Sequence, residues 1–380
     1  MARVHILSLS LELCDLRNIY AFADALCNGT VSNPEGLEGE YLRNVRVPRI
    51  DSVIFNAAYG GWSGVNYPGA IWSVLTKGII ETATYPDFKT ALATGILNED
   101  PRLNYPEKPL LAEVFCACVF GHYLLAHQLV PLLSRRKDEQ VAPGRIIWSS
   151  SLEAHAKSFE ATDLQCFTRS FSYESAKRLT DLLVLTSNLP AAKPYSKSFL
   201  TIGRQLDDSE SDTTEDDDIL PPNMYLTHPG VLASTLFPLP WFLFWAYKLV
   251  VSLARWLGSP WHLTSGYMGG KSAAWVALQE QSELDAMEAT HLKLGSSCDR
   301  SLTEYVKPTE AEGWGWNGKV ESSAGDTTPG VLNKFSGRKQ GAKDVTEEDI
   351  ANFEAEGAYC WAEMEKLRLQ WEDILSEDGI

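Results

Sequence analysis

The chain has 380 residues, of which 44% are hydrophobic and 22% are charged, and its formal net charge is −17 at pH 7. These values predict a folded protein with a substantial core, arranged as one large domain or two small ones. The strong negative charge argues against nucleic acid as a partner. The seven cysteines are an odd number without the spacing of a disulfide framework, so we expect a reducing compartment, and no N-terminal signal peptide is visible.

Strands and helices alternate along the first half of the chain. In chain order, hydrophobic periodicity predicts a strand at 4–16, a helix at 16–26, a strand at 49–55, a helix at 110–133 and a strand at 145–148. The first strand would end at Asp15, and the second runs into a polar turn that begins at Asn56. The long insertion at 59–109 is punctuated by proline and glycine, and an excursion of this length is usually functional.

The second half of the chain continues this alternation. It contains a predicted strand at 223–227, a helix at 265–279 and a helix that starts at the acidic turn 346–349 and runs to residue 375. Strands that alternate with long helices predict an α/β fold with a parallel sheet and right-handed crossovers. Ligands of such sheets bind beyond the carboxyl ends of the strands, where Asn56, Ser149–Ser151 and Pro229–Thr235 are all predicted to lie.

Two segments depart from the average composition. The acidic loop at 204–222 holds the run 207–218, which we interpret as a solvated loop, with an acidic binding segment as the alternative. The hydrophobic segment at 236–261 is interrupted by Lys248 and Arg255, which does not favour a helix that spans a membrane. Its tryptophans and flanking cations suit a helix in the membrane interface, and a buried helix that covers a substrate is the alternative.

The stretch 171–183 carries the strongest chemical signal. Tyr173 and Lys177 are four residues apart and would share one face of a helix. An ammonium group beside a phenol stabilises the phenolate, so such a pair can deliver a proton near neutral pH. The same spacing begins at Tyr85 and Tyr267, but a proline in the first copy and two glycines in the second are poor helix chemistry. We therefore single out Tyr173, which follows a strand ending in serines and precedes a proline–glycine turn.

Ser151, Tyr173 and Lys177 together resemble the catalytic set of the short-chain dehydrogenase/reductase family. The resemblance implies a Rossmann-like doubly wound parallel sheet in a domain at 1–280, and it leaves 281–380 as a C-terminal extension that ends in a helix. It also implies that Ser151 hydrogen-bonds the substrate oxygen, that Tyr173 delivers the proton, and that Lys177 lowers the tyrosine pKa and holds the nicotinamide ribose. The cofactor-binding residues that it implies are Asp15, Asn56, Tyr173, Lys177, Val231 and Ser234.

Several stretches are more specifically similar to the fungal 3-keto-steroid reductases. They are 119–123, 147–151, 173–181 and the long loop after Asn56. This resemblance implies NADPH-dependent reduction of the 3-ketone of sterol intermediates, during the C-4 demethylation steps of ergosterol biosynthesis. It also implies a place at the endoplasmic reticulum membrane or lipid droplets, beside other enzymes of sterol C-4 demethylation. A reductase of another lipophilic ketone, such as a 17-ketosteroid, is the alternative.

Two features depart from the family pattern. The Gly-rich turn that cradles the cofactor pyrophosphate in the family is not in this sequence, which begins at what resembles the family's third strand. We favour an N-terminally truncated reductase over a catalytically impaired paralogue that acts as a non-enzymatic subunit. Cys118 stands where the family usually has an asparagine of the proton relay, and a thiol is a poorer donor and acceptor. Cys116 and Cys118 lie in an apolar run, which favours core packing over metal binding, so no metal site is predicted.

Overall fold

The computed structural model describes residues 4–36, 42–201, 218–234, 239–321 and 335–377. Its strands, in chain order, are β1 Ser52–Phe55, β2 Trp62–Val65, β3 Lys89–Ala91, β4 Arg135–Arg136, β5 Arg145–Ser149, β6 Ile219–Leu220, β7 Asn223–His228, β8 Val231–Leu232, β9 His262–Leu263, β10 Lys293–Cys298 and β11 Glu304–Thr309. Its α-helices are α1 Leu16–Cys27, α2 Tyr67–Thr84, α3 Glu113–Phe115, α4 Gly121–Gln128, α5 Val130–Leu133, α6 Ser172–Thr186, α7 Lys193–Phe199, α8 Trp241–Trp256, α9 Gly266–Gly269, α10 Lys271–Leu278, α11 Gln281–Ala286 and α12 Glu347–Glu377. A π-helical turn, Cys116–Phe120, joins α3 to α4.

Within the described ranges, the central sheet has five strands in the order β1–β5–β7–β10–β11. The first four are parallel, and β11 pairs with β10 in the antiparallel sense. Phe55 lies opposite Trp148, and Trp148 lies opposite Leu226, so the carboxyl ends of β1, β5 and β7 are level. The predicted α/β fold with a central parallel sheet is therefore confirmed.

Side chains from both faces of the sheet are buried. On β5, Ile146 and Trp148 join one apolar cluster, whereas Ile147 joins another with Tyr225 and Val276. Successive residues of a strand point to opposite faces, so the two clusters lie on opposite sides of the sheet. Helices α4, α6 and α12 contribute to the first cluster, and α10 and α11 contribute to the second. This double covering explains the apolar run 146–148 of β5.

The C-terminal helix α12 is part of the core. The indole N–H of Trp361 donates to the carbonyl of Leu183 on α6 at 2.9 Å. The hydroxyl of Tyr123 on α4 donates to Glu365 at 2.6 Å, and Arg368 pairs with the same carboxylate at 2.8 Å. These buried polar contacts bind the end of the chain to two helices of the first cluster, and the predicted C-terminal helix is confirmed.

The strand predicted at 4–16 is wrong. Residues 4–15 contain no strand in the structure, and the amide of Ser8 instead donates to the side chain of Asn33 at 2.7 Å. The alternating leucines of this segment are partly buried against the first apolar cluster. The alternation of apolar and polar residues therefore reflects a segment that packs one side against the core, without backbone hydrogen bonds to a neighbouring strand. The next prediction, a helix at 16–26, is confirmed by α1.

The long insertion at 59–109 contains regular structure. It forms a two-stranded antiparallel sheet of β2 and β3, with helix α2 between them in sequence. The N-cap of α2 is Asn66, whose side chain accepts a hydrogen bond from the amide of Gly69. Most of the predicted acidic loop at 204–222 lies outside the described residues, which leave out 202–217. The sheet continues past residue 280, because β10 and β11 lie in the region predicted as an extension.

The hydrophobic segment forms α8, and its residues 236–238 lie outside the described ranges. Among the described residues, no helix combines the length and the apolar character that crossing a membrane requires. The helix has 16 residues, from Trp241 to Trp256, and ends in a turn that contains Arg255.

Candidate active site

The polar turns that follow β1, β5 and β7 meet at one edge of the sheet. Ser149 ends β5, and its hydroxyl lies 3.5 Å from the side-chain oxygen of Asn56, which follows β1. The chain leaves β7 through a tight turn at Gly230, whose φ is +71°. A Cβ at Gly230 would lie 2.7 Å from the carbonyl oxygen of Trp261, so a larger residue does not fit. The strand ends thus converge as expected for a parallel sheet.

Helix α6 carries Tyr173 and Lys177 on one face. Every residue of α6 is buried, because the helix lies between the sheet, the π-helical turn and α12. The Nζ atom of Lys177 lies 5.6 Å from the centre of the Tyr173 ring and donates to the carbonyl of Ser149 at 2.7 Å. Burial lowers the pKa of Lys177. The lysine therefore ties the helix to the end of β5 beside the phenol.

A second buried contact fixes the serine turn after β5. The hydroxyl of Ser150 donates to Asp181 on α6, and the other carboxylate oxygen accepts from Lys293 on β10 at 2.6 Å. Lys293 also donates to the carbonyl of Ser151 at 2.7 Å. Asp181 and Lys293 are almost fully buried, and we call this pair the Asp181–Lys293 cluster. It turns Ser150 away from the site and leaves Ser151 at the wall of a cavity.

This cavity has a volume of about 360 Å³ and contains both Ser151 and Tyr173. Burial raises the pKa of the Tyr173 phenol, the charge of Glu153 raises it further, and a hydrogen bond with Ser151 opposes them. The phenol is therefore protonated at neutral pH, but its raised pKa does not show the lowering that was expected from Lys177. The site has the geometry of an acid held beside a hydrogen-bonding serine.

The remaining walls of the cavity are mostly apolar and come from two helices. Ala70 and Val74 line it from α2, and Tyr247 and Val250 line it from α8. Helices α2 and α8 pack against each other. Trp62 of β2 closes the cavity against Tyr173, with ring centres 4.7 Å apart. Such a cavity fits a lipophilic molecule with one polar end at Ser151 and Tyr173.

The structure gathers most of the predicted cofactor residues, with one exception. Val231 and Ser234 line the cavity beside Tyr173, and Asn56 lies next to Ser149. Asp15, in contrast, is the N-cap of α1, where its carboxylate accepts from the amide of Asn18 at 3.2 Å. This N-cap role accounts for the side chain without reference to a ligand.

Cys118 is buried in the π-helical turn, a form of helix that is frequent at functional sites. Its thiol donates to the carbonyl of Tyr59 at 3.3 Å and lies 3.4 Å from the amide nitrogen of the same residue, which donates to it. Burial raises the pKa of this thiol. The neutral thiol therefore links the π-helical turn to the segment that follows β1.

Sequence reasoning missed three charged residues beside Tyr173. The Nζ atom of Lys89 on β3 lies 2.7 Å from a carboxylate oxygen of Glu153 and 2.7 Å from one of Glu174. The three side chains are only 7%, 14% and 10% exposed, and we call them the Lys89 cluster. Lys89 also lies 4.0 Å over the ring of Trp62. Glu153 and Glu174 are close in sequence to Ser151 and Tyr173, and this closeness could have identified them as residues near the site.

Comparison with known proteins identifies relatives of the whole chain. It is 56% identical over 378 residues to the 3-keto-steroid reductase ERG27 of Gibberella zeae, which covers 99% of this chain and 78% of the relative. It is 41% identical over 345 residues to the 3-keto-steroid reductase erg27 of Aspergillus fumigatus, covering 88% and 74%. The relative from Saccharomyces cerevisiae is 27% identical over 278 residues. No family model and no solved structure matches the chain. From the extent of the first two similarities, the chain belongs to the fungal 3-keto-steroid reductase family.

Proposed function

We propose that this protein reduces the 3-keto group of a sterol intermediate to a 3-hydroxyl group, with NADPH as the hydride donor, in sterol C-4 demethylation. The observation that carries the proposal is the apolar cavity that ends at the Ser151 and Tyr173 hydroxyls. An apolar body with one reactive oxygen matches a sterol ketone. The Gibberella zeae relative is named a 3-keto-steroid reductase, which is the same substrate class.

The roles of the chain's residues follow from their positions. When NADPH is bound, it supplies the hydride. The Ser151 hydroxyl hydrogen-bonds the ketone oxygen as negative charge develops there. Tyr173, which is protonated at neutral pH, transfers its proton to that oxygen. The nearby Lys177 ammonium stabilises the phenolate that remains.

The donor set at the sheet edge fits the nicotinamide end of such a cofactor. The Ser149 carbonyl takes one of the three N–H donors of Lys177, and we propose that ribose hydroxyls take the others. Asn56 and the turn that contains Val231 and Ser234 supply further polar groups beside Tyr173. The choice of NADPH over NADH follows the family resemblance and is tested by comparing turnover with the two cofactors.

Replacement of one hydroxyl tests the proposal. With a 4-demethylated sterol 3-ketone in detergent micelles, an N-terminally extended form that carries the family's Gly-rich turn should oxidise NADPH and form the 3-hydroxysterol. Tyr173→Phe should lower kcat by about 10²- to 10⁴-fold, as expected for loss of a general acid. Tyr267→Phe is the matched control, because Tyr267 has the same spacing to a lysine but is 83% exposed. Absence of turnover in an N-terminally extended form that carries the Gly-rich turn would refute the function, and an active Tyr173→Phe variant of that form would refute the role of Tyr173.

We further propose that α2 and α8 rest on the cytosolic face of the endoplasmic reticulum membrane, so that the sterol enters the cavity between them. The outward residues of both helices are large, apolar and exposed: they are Ile71, Trp72, Leu75, Trp241, Phe242, Trp245 and Leu249. The ammonium of Lys248 lies 4.8 Å over the ring of Trp245, which is typical of an interfacial segment. The inner sides of the same helices line the cavity, so the patch and the substrate site are continuous.

Vesicle binding tests the membrane contact. Neutral phosphatidylcholine vesicles should bind the wild-type chain in a flotation assay. The double variant Trp241→Ser/Trp245→Ser should bind about tenfold more weakly, because it loses buried aromatic area. Leu369→Ser on α12 is the control, since it removes an exposed apolar residue from a different surface. Equal binding by the wild type and the double variant would contradict the proposed contact.

A further inference from the structure

Two cavities share the Lys89 cluster as a wall. One is the apolar cavity that contains Tyr173, and the other is a polar cleft of about 400 Å³. Lys89 and Glu153 line both of them, whereas Glu174 lines the polar cleft and Tyr173 lines the apolar cavity. Glu153 and Glu174 both contact Lys89, and Glu153 lies at the wall of both cavities. This arrangement joins a hydrophilic cleft to a site that consumes one proton in each reduction.

The cluster pairs two carboxylates with a single ammonium. If all three groups were ionised, the buried cluster would carry one net negative charge next to Tyr173. Burial raises the pKa of Glu153 to about 7, against the attraction of Lys89 and with the repulsion of Glu174. Glu153 therefore binds and releases a proton in the neutral range, where the phenol of Tyr173 must be restored after each turnover.

The Cys118 and Lys177 side chains near Tyr173 both hydrogen-bond to backbone atoms. The Cys118 thiol donates to the Tyr59 carbonyl and accepts from the amide of the same residue. Lys177 donates to the Ser149 carbonyl, and its Nζ atom is buried on the sheet side of the phenol. The Lys89 cluster differs from both because it reaches a second, polar cavity.

We propose that Glu153 returns a proton to Tyr173 after each reduction, and that Glu174 and Lys89 connect Glu153 to solvent through the polar cleft. The inference rests on the proposed role of Tyr173 as the proton donor. After the phenol O–H bond breaks and the substrate oxygen is protonated, the Glu153 carboxylic acid releases its proton to the phenolate through water in the cavity. The resulting Glu153 carboxylate takes a new proton from hydronium in the cleft by way of Glu174. No electrons move in these steps, and the cluster returns to its initial state.

Charged and titratable groups from several elements face Glu153. Lys89 comes from β3, Tyr173 and Glu174 come from α6, and Tyr247 comes from α8, where the Glu153 charge adds to burial in raising the tyrosine pKa to about 12. The other charged or titratable residues of the polar cleft are Lys77, Glu81, Tyr85, Asp87, His155, Lys157 and Lys339. Lys77 pairs with Asp87, and Lys339 and His155 both contact Glu312. Lys89 is therefore the cation in contact with Glu153.

The test compares the first turnover with steady-state turnover in the variant Glu153→Gln of the N-terminally extended form that carries the Gly-rich turn. Tyr173 starts protonated in both proteins, so the first oxidation of NADPH should keep its rate to within about twofold. Steady-state turnover should fall about tenfold, because restoration of the phenol becomes slow, and a small buffer acid such as imidazole should restore part of it. Asp87→Asn is the matched control, since this carboxylate lines the polar cleft but not the apolar cavity.

A cofactor-independent measurement accompanies the kinetics. Infrared difference spectra of the wild-type chain should show a protonated carboxyl band that titrates near pH 7 and is lost in Glu153→Gln. Equal steady-state rates for wild type and variant, a proportional loss of first and later turnovers without rescue by buffer acid, or a missing band would each overturn the inference. Absence of turnover in the N-terminally extended form that carries the Gly-rich turn would overturn the proposed function and this inference with it. If circular dichroism shows that Glu153→Gln is unfolded, Glu174→Gln carries the same kinetic test.

Discussion

The two buried ion clusters beside Ser151 and Tyr173 differ in how completely their charges are paired. In the Asp181–Lys293 cluster, one carboxylate meets one ammonium, and its second oxygen accepts from the Ser150 hydroxyl. In the Lys89 cluster, two carboxylates share one ammonium, and the group lies between two cavities. Complete pairing fixes the position of the serine turn, whereas burial, with the second carboxylate of Glu174, raises the pKa of Glu153 to about 7. The same residue types thus serve as a clamp in one place and as an acid in the other.

The largest expected effect comes from removing the cation of the Asp181–Lys293 cluster. Lys293→Met should leave the Asp181 carboxylate buried without its charge partner and lower the free energy of unfolding by about 3–5 kcal/mol. Urea denaturation measures this change. The double variant Asp181→Asn/Lys293→Met should recover much of the loss, because no unpaired charge remains. A loss below about 1 kcal/mol in the single variant would show that the cluster is not a clamp.

The Lys89 cluster should make the free energy of unfolding depend on pH. Between pH 4.5 and about 7 the folded chain keeps a proton on Glu153 that the unfolded chain has released, so raising the pH destabilises the fold. A folded pKa of about 7 in place of 4.5 corresponds to a loss on the order of 3 kcal/mol above pH 7. We expect the difference in unfolding free energy between wild type and Glu153→Gln to show this slope. A difference that is constant with pH would contradict a raised pKa.

An exposed ion pair provides the smallest expected effect. Lys77 and Asp87 pair at the rim of the polar cleft, and their side chains are 43% and 42% exposed. Solvent and salt screen such pairs, so Asp87→Asn should change the free energy of unfolding by less than about 1 kcal/mol. High salt should reduce even this change. An effect as large as that of Lys293→Met would mean that burial does not explain the difference between the clusters.

Much of the fold follows from local patterns. The apolar stretches at β1, β5 and β7 were identified from sequence, and β5 shows the physical reason most clearly, because all its residues are buried between the two covered faces of the sheet. Helix α12 was identified from its capping residues, with the Thr346 hydroxyl accepting from the amide of Asp349 at 3.1 Å. The alternation at 4–16 gave a wrong strand, because periodicity describes which side of a segment is buried but not what lies beside its backbone.

The sequence also determined the central chemistry. Tyr173 and Lys177 share a helical face because they are four residues apart, and Ser151 follows directly from the end of a strand. Spacing along the chain is sufficient for such predictions when the geometry of one helix or one strand end fixes the distances. Nothing comparable links Lys89 to Glu153, or Asp181 to Lys293, which are 112 residues apart.

Tertiary structure alone decided those pairings. Lys89 belongs to a copy of the Tyr-x-x-x-Lys pattern that is a poor helix former. The antiparallel pairing of β3 with β2 places Lys89 at the wall of the cavity. Packing of α2 and α8 creates the apolar walls, and the docking of β10 places Lys293 under the serine turn. The physical reason is that charges buried far from each other in sequence acquire their partners, and hence their proton affinities, only when the elements that carry them pack together.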